Sequence, residues 1–432
     1  MALKTFRHGV HPSANKFTKD VPLEDFPVPD KVYISLSQHI GAPAKPVVNV
    51  GDHVLEGQMV GEAGGFVSAP VFSSVSGTVK NIVKLPTAIG QMVDHIEIEN
   101  DFKYEKVSLP KLVNPSKEEI LQRVKDAGIV GMGGATFPTH VKLAPKDPVD
   151  VLIINGAECE PYITCDYRLF LEHANEVVEG TKLLMKALGV EKAYIGIENN
   201  KPEAIKVMRE AANGGVEIVP LKVKYPQGAE KQIIYAITKR VVPAGGLPAQ
   251  VGCVVSNTHT AYSVAKAVFD GEPLYKRAMT VSGDGVEKTG NFWVRGGIPF
   301  SFIYETLRGE VPECMTNKVI NGGPMMGFAQ ADLRPVTAKG TSSLLFLSHK
   351  MFSEFEPTQC INCGRCINHC PMNLVPRDME RAVIKEDFAR AEKLGVMNCI
   401  ECGSCAFICP AKRPLVQAIR LAKKEIRSKG RK

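Results

Sequence analysis

The 432-residue chain has a single tryptophan, Trp293, and aromatic residues make up only 7% of it. A lone indole reads as core or interface, not as a stacking group for a base, and we expect no nucleic-acid partner. No uninterrupted apolar run approaches the roughly 20 residues that cross a bilayer, so any membrane contact is expected to be peripheral. The opening residues, Met1-Ala2-Leu3-Lys4-Thr5-Phe6-Arg7-His8, lack the apolar core of a secretory signal. A chain that stays inside the cell does not stabilise disulfides, so its 12 cysteines need another explanation. Excess charge is small as well, a net +7, much of it gathered after Lys412. A hydrophobic content of 44% and a charged content of 23% are ordinary for a globular protein. The length suggests about three domains.

Eight of the cysteines form one pattern twice. Cys360, Cys363, Cys366 and Cys370 are followed by Pro371; Cys399, Cys402, Cys405 and Cys409 are followed by Pro410. This is the bacterial ferredoxin run for [4Fe–4S] clusters. Three thiolates at that spacing wrap three corners of an iron–sulfide cube, and the fourth points to the other cube. Cys360, Cys363 and Cys366 therefore pair with Cys409, and Cys399, Cys402 and Cys405 with Cys370. Structural zinc takes two spaced pairs, not two four-cysteine runs. Clusters move single electrons and need a reducing compartment, which places the chain in a cytoplasm. The stretch Met379 to Glu386 between the runs reads as helix, so a helical ferredoxin domain is expected over 350–432. Its basic tail, ending in Arg427, Lys429, Arg431 and Lys432, reads as a solvated end. Cys159, Cys165, Cys253 and Cys314 fit no cluster spacing and read as buried, inert thiols.

Upstream, residues 1–30 are punctuated by Pro12, Pro22, Pro27 and Pro29 and read as an extended arm over something else. Residues 31–105 alternate short β-branched segments with glycines, a compact all-β unit. The pattern Val50-Gly51-Asp52-His53-Val54-x2-Gly57-Gln58 resembles the half-barrel repeat of biotinyl and lipoyl carriers. The segment Val67 to Ser74, where carriers bear their lysine, has none, so a structural role is expected.

Residues 115–272 read as α/β. Ser116 and Glu119 form a capping box before Ile120. Apolar runs at 151–154, 193–197, 216–219 and 253–255 each lead to polar residues, with helices at Pro202 to Ala212 and Ala229 to Lys239. Buried strands alternating with helices imply a parallel sheet, whose ligands sit outside the carboxyl ends of its strands. Gly131, Gly133 and Gly134 permit close backbone approach to a flat or anionic ligand, and Lys142 supplies positive charge for a phosphate. Taken alone, that loop serves equally as a tight turn. Residues 273–345 turn β-rich again, with Asn321-Gly322-Gly323-Pro324-Met325-Met326-Gly327 as a glycine-rich turn.

The segment Gly131 to Lys142 resembles the flavin loop of the NADH-binding flavoprotein subunit of complex I. Asn155-Gly156-Ala157-Glu158-Cys159-Glu160-Pro161 is similar to that family's Asn-Ala-Asp-Glu-Gly-Glu-Pro. Gly228-Ala229-Glu230 and Asn257-Thr258-His259-Thr260 fall on two further landmarks, in order. Met132 and Ala157 replace an arginine and an aspartate of that family and remove charge. A resemblance over nearly the whole chain is to the C subunits of Rnf ferredoxin:NAD⁺ oxidoreductases, complexes that pump sodium ions or protons. It is carried by Phe6-x2-Gly9-Val10-His11-Pro12, the carrier-like unit, Gly133 to Leu143, Asn155 to Tyr162, the Asn321–Gly327 turn and the doubled cysteine run. The chain matches the short form, without a repetitive tail.

The resemblance implies FMN held by Gly131, Gly133, Gly134, Lys142, Asn155, Glu158, Gly228, Asn257 and Thr258. It implies Glu160 and Glu230 at the dinucleotide, and a soluble-ligand-binding β-grasp domain over 273–345. It implies other membrane-complex subunits as partners, electrons ultimately from ferredoxin, and a place on the cytoplasmic face of a prokaryotic membrane. A flavin links NAD(H), a two-electron donor, to one-electron clusters. The alternatives are a soluble cobalamin-reductase-like protein, or a cluster relay with no working NAD site.

Overall fold

The computed structural model describes residues 3–352 and 355–429. At its centre is a four-stranded sheet in the order Glu217–Leu221, Lys192–Glu198, Val151–Gly156, Cys253–Asn257, with every neighbouring pair parallel. The chain steps outward from Val151–Gly156 through two strands, then returns to the other side of Val151–Gly156 with Cys253–Asn257. The strand order therefore reverses between these two strands, and Asn155 and Asn257 stand opposite each other there. Such a switch point opens a crevice at the carboxyl ends of the strands.

Helices cover both faces. Lys117–Asp126 starts at Ser116, whose side chain and that of Glu119 form the expected capping box. Pro202–Ala212 starts on a proline, whose missing N–H costs a helix nothing in its first turn. Ala174–Leu188 crosses Thr258–Ala265 so closely that a Cβ on Gly180 would lie 1.8 Å from the Ala261 carbonyl oxygen. Gly180→Ala gains about 1 kcal/mol of helix propensity but forces the helices apart, at a cost of roughly 3 kcal/mol or more. We expect a net loss of about 2 kcal/mol, read as a lower urea midpoint at unchanged slope.

The all-β unit is two small sheets. One runs Lys31–Ser35, Met92–Asn100, Gly77–Pro86, His53–Val54; the other runs Lys45–Pro46, Met59–Glu62, Val71–Phe72. Val32, Ile34, Val54, Val60, Val71, Ile96 and Ile98 fill the space between them. The segment Ser68 to Ser74 is buried throughout. The Pro70 carbonyl accepts from Lys339 Nζ at 2.6 Å, and the Gly128 carbonyl accepts from the same amine at 2.7 Å. Where a carrier presents a mobile lysine, this chain has an internal joint between three parts of the fold. Burial pulls the Lys339 amine down to about 7.

A third, six-stranded sheet runs Leu23–Asp25, Gly290–Arg295, Lys276–Ser282, Ser343–Leu347, Lys318–Asn321, Phe328–Ala329. The region read from sequence as β-rich also contains the helix Phe300–Arg308, which buries Phe300, Ile303, Tyr304 and Leu307. Its aromatic and β-branched residues look strand-like, but their 3.6-residue spacing places them on one helical face. The N-terminal arm adds Leu23–Asp25 as a parallel edge strand. Farther up, Val10 exchanges backbone hydrogen bonds with Tyr225. Trp293 is half-buried against His173, His259 and Tyr262, between this sheet and the α/β unit.

No strand occurs within residues 355–429. Helices Pro376–Ile384, Phe388–Lys393 and Leu415–Lys429 pack through Met379, Ala382, Val383, Ala391, Ile419 and Ala422. Of the basic tail, Lys429 lies over the Phe388 ring, whereas Arg431 and Lys432 fall outside the described residues. One expectation about the remaining cysteines needs correction. Cys165 and Cys253 are buried and Cys159 is partly so, but Cys314 is exposed. It sits in the short turn Glu313–Met315 after Pro312, none of whose residues is buried.

Candidate functional site: a switch-point crevice and two thiol cages

Each cysteine run makes a turn, then a short helix, Arg365–Asn368 or Ser404–Phe407, that carries its fourth cysteine away. Gly364 and Gly403 enter those helices at positive φ. One hollow is lined by Cys360, Cys363, Cys366 and Cys409. A second is lined by Cys370, Cys399, Cys402 and Cys405. The thiols are thus grouped across the two runs. Among the described residues no group of three such ligands converges to hold a single metal ion. The thiols instead surround a volume, which suits a multi-atom cluster.

The cages differ in setting. Cys363 is exposed beside Ile361, itself 67% exposed. The second cage is walled by Leu374, Ile400, Val416 and Ile419. Burial pushes the Cys399 thiol up to about 11 and the Cys405 thiol higher, so a group that took them as thiolates would displace protons there. Leu374 and Glu401 donate backbone N–H groups to the sulfurs of Cys370 and Cys399.

At the switch point, side chains and backbone interlock. Asn155 Nδ2 donates to the Gly228 carbonyl at 2.7 Å, and Thr258 Oγ1 donates to the Asn155 carbonyl at 3.2 Å. Asn257 caps the helix Thr258–Ala265 by accepting from His259 N, and its Nδ2 donates to Asp166 at 2.9 Å. The glycine loop closes over this group. Met132 N donates to Thr260 Oγ1, and a Cβ on Gly133 would stand 2.9 Å from Asn257 Nδ2. Gly134 has nothing within 4 Å of the Cβ position. Asn155, Gly228, Gly133, Asn257 and Thr258 are therefore brought together, with Gly134 facing open space.

Other expected residues are placed differently. Lys142 Nζ is paired with Glu230 at 2.8 Å, both partly exposed. Glu158 turns its carboxylate into the protein: Oε1 accepts from Asp166 N and Tyr167 N, while the buried Oε2 has no hydrogen-bond partner among the described residues. Glu160 has other partners than Glu230. It accepts from Met325 N at 3.1 Å, Met326 N at 2.9 Å and the Tyr225 hydroxyl at 3.3 Å. A Cβ on Gly323 would lie 2.2 Å from Glu160 Oε2, so that glycine is required. The one Tyr225 O–H proton is shared between Glu160 and the Cys402 carbonyl, the latter the shorter contact at 2.7 Å. Glu160 thus sits where the α/β unit, the Asn321–Gly327 turn and the second cage meet.

Desolvation drives the Glu160 carboxyl up to about 7, against the hydrogen bonds that favour its charged form. The unfolded chain loses this proton near 4.5. The resulting stability is complete below that pH and is lost as pH rises through about 7. We expect Glu160→Gln to flatten this part of the wild-type decline in melting temperature between pH 4.5 and 7. Equal slopes in the two proteins would contradict it.

Several buried charged residues here carried no signal in the sequence. Lys201 Nζ donates to the Ala157 carbonyl at 3.0 Å, and Arg277 Nη1 to the Lys339 carbonyl at 2.8 Å. Burial pushes Asp166 up to about 6. Cations from distant elements thus stand where Met132 and Ala157 removed local charge.

A glycine-lined switch point beside two four-thiol cages defines a class, the electron-transfer proteins that combine a flavin with iron–sulfur clusters. Family models agree: the Nuo51 FMN-binding domain matches residues 124–266, the RnfC barrel sandwich hybrid domain 4–103, and the 4Fe-4S dicluster domain 353–410. The C subunit of the proton-translocating ferredoxin:NAD(+) oxidoreductase complex of Clostridium ljungdahlii is 46% identical, over 99% of this chain and 95% of that one. The C subunit of the Na(+)-translocating complex of Acetobacterium woodii is 45% identical, over 99% of this chain and 98% of that one. The chain belongs to this family, the C subunits of ion-translocating ferredoxin:NAD(+) oxidoreductase complexes. A crystal structure of an NAD⁺-reducing [NiFe]-hydrogenase shares the fold, with a TM-score of 0.52 and 21% identity over 70% of this chain and 62% of that one.

Proposed function

We propose that this chain passes electrons between NAD(H), FMN and two [4Fe–4S] clusters, as a peripheral subunit of a membrane ion-pumping complex that exchanges electrons with ferredoxin. The observation that carries this reading is the adjacency of the switch-point crevice to the second thiol cage, through Tyr225 and Glu160. No helix among the described residues is long and apolar enough to cross a membrane, which accords with docking on the cytoplasmic face.

Bound FMN exchanges hydride with nicotinamide and single electrons with clusters. The chain's own residues do the positioning. Gly131, Gly133 and Gly134 let backbone approach the ring system, Gly134 through its open face. Asn155, Gly228, Asn257 and Thr258 form the floor, with Glu158 Oε2, which accepts no hydrogen bond, a buried acceptor beneath it. Lys142 reaches for the phosphate, held until then by Glu230. We assign Glu230, at the start of helix Glu230–Thr238, to the dinucleotide side. Glu160 bears on it through the Met325 and Met326 amides. The clusters fall to Cys360, Cys363, Cys366 and Cys409, and to Cys399, Cys402, Cys405 and Cys370.

For domains we propose an arm over 1–30, a barrel-sandwich unit over 31–105, the flavin unit over 115–272 and a cluster domain over 350–432. Residues 273–345 make a β-grasp unit, its helix Phe300–Arg308 following the hairpin of Lys276–Ser282 and Gly290–Arg295.

The test is an anaerobic NADH titration of the full chain reconstituted with FMN and clusters, followed at the flavin absorbance band and by electron paramagnetic resonance. Bleaching of the flavin is expected. A flavin that binds and ignores both NADH and NADPH would leave only the relay role.

A further inference from the structure

Lys16 lies in the N-terminal arm, yet its ammonium is inside the protein. Nζ donates to the carbonyls of Glu158 at 2.8 Å, Glu160 at 2.9 Å and Ile163 at 2.5 Å. Glu158 Oε2 stands 3.8 Å away. A charged lysine has three N–H donors and a neutral one has two. Three carbonyl partners therefore call for the charged form, although burial lowers the pKa of this amine.

All three carbonyls belong to the loop between strand Val151–Gly156 and helix Cys165–Glu172. That loop holds two non-glycine residues in the left-handed region, Glu158 at φ 46° and Tyr162 at φ 70°. Such conformations cost about 1–3 kcal/mol each and persist only where their surroundings hold them. Among the described residues, Lys16 is the one side chain that binds the loop at both ends and in the middle. Nearby arm contacts are different in kind: Tyr162 N donates to the Ala14 carbonyl, and Thr18 Oγ1 meets Thr164 Oγ1 at 2.6 Å.

We propose that Lys16 is a positioning residue for the flavin, gathering three carbonyls of the 158–163 loop so that the loop keeps the shape that FMN requires. The proposal rests on the FMN reading given above. A trans peptide holds its C=O and N–H on opposite sides. Drawing the Glu158 carbonyl onto Lys16 therefore turns the Cys159 N–H away from the arm. The buried cation also favours negative charge gained nearby on reduction. The arm is thus part of the flavin site, although it lies outside the α/β unit.

The test uses the full chain, reconstituted with clusters and titrated with FMN. Flavin fluorescence gives the dissociation constant, and spectroelectrochemistry gives the flavin midpoint potential. Lys16→Met should weaken FMN binding roughly tenfold or more, from the loss of charge-assisted bonds, and should make the potential more negative. Lys16→Arg should restore part of both. Thr18→Val, which loosens the arm without touching the three carbonyls, should leave both near wild type. Should Lys16→Met fail to fold, Lys16→Gln removes the charge and is expected to show the same two shifts. Wild-type values in the neutral variant, or an equal loss in Thr18→Val, would overturn the proposal. Wild-type protein that binds no FMN would instead remove the flavin reading, and this proposal with it.

Discussion

Cys370→Ala is expected to abolish the cluster held by the second cysteine run and to spare the cluster of its own run. The reason is geometric, since Cys370 lines the cavity of Cys399, Cys402 and Cys405, while Cys409 lines the other. Cys370→Ala and Cys399→Ala should leave the same residual paramagnetic spectrum, and Cys409→Ala and Cys360→Ala should share the other. Each variant should retain about half of the wild-type iron, because a cluster needs its full thiolate set. If Cys370→Ala instead matched Cys360→Ala, the cages would be local and the crossed arrangement wrong. The effect should be large, because the wall of the second cage is mostly apolar and its one carboxylate, Glu401, is already paired with Arg420 and Lys423.

The second large effect is expected at neighbouring glycines with opposite surroundings. A Cβ at Gly133 meets the Asn257 amide at 2.9–3.1 Å. Gly133→Val adds further carbons and pushes Asn257 off both Asp166 and the cap of helix Thr258–Ala265. Losing the cap costs about 1 kcal/mol and overpacking about 1–3 kcal/mol, so the protein should melt lower; with Asn257 displaced from the crevice, FMN affinity should also fall, by roughly a hundredfold or about 2.8 kcal/mol. Gly134→Ala meets no protein atom within 4 Å. It should melt like wild type and still bind FMN more weakly, because in the proposed reading that space is left for the ligand. Both are read from melting curves with and without FMN. A Gly134→Ala protein with wild-type FMN affinity would move the flavin away from this loop.

Much of this site is legible in the order of the residues alone, for local reasons. The cysteine spacing reflects a turn and a short helix, both set by neighbouring residues. The capping box at Ser116 and Glu119 closes within one turn of helix. Four apolar runs that each lead to polar residues imply a parallel sheet, whatever lies between them. The order of the strands is a different matter, since it depends on which run packs beside Val151–Gly156. That order is what places Asn155 against Asn257.

Residue order alone carries the cluster chemistry, through eight cysteines at ferredoxin spacing, whereas the flavin follows from the family resemblance, because the glycine loop alone serves equally as a tight turn. Only the tertiary structure decided which charges are buried and what they hold. Lys16, Lys201, Arg277 and Lys339 look like ordinary surface cations in the sequence, because a charged residue is normally solvated. Their partners are carbonyls far away along the chain, as with Lys16 and the Glu158 carbonyl, 142 residues apart. The surroundings of Glu160 follow the same rule. Its carboxylate is set by the Met325 and Met326 amides and by Tyr225, groups that meet only after three parts of the fold have closed together. Spacing along the chain reports local geometry, whereas burial of a charge is a property of the assembled surfaces.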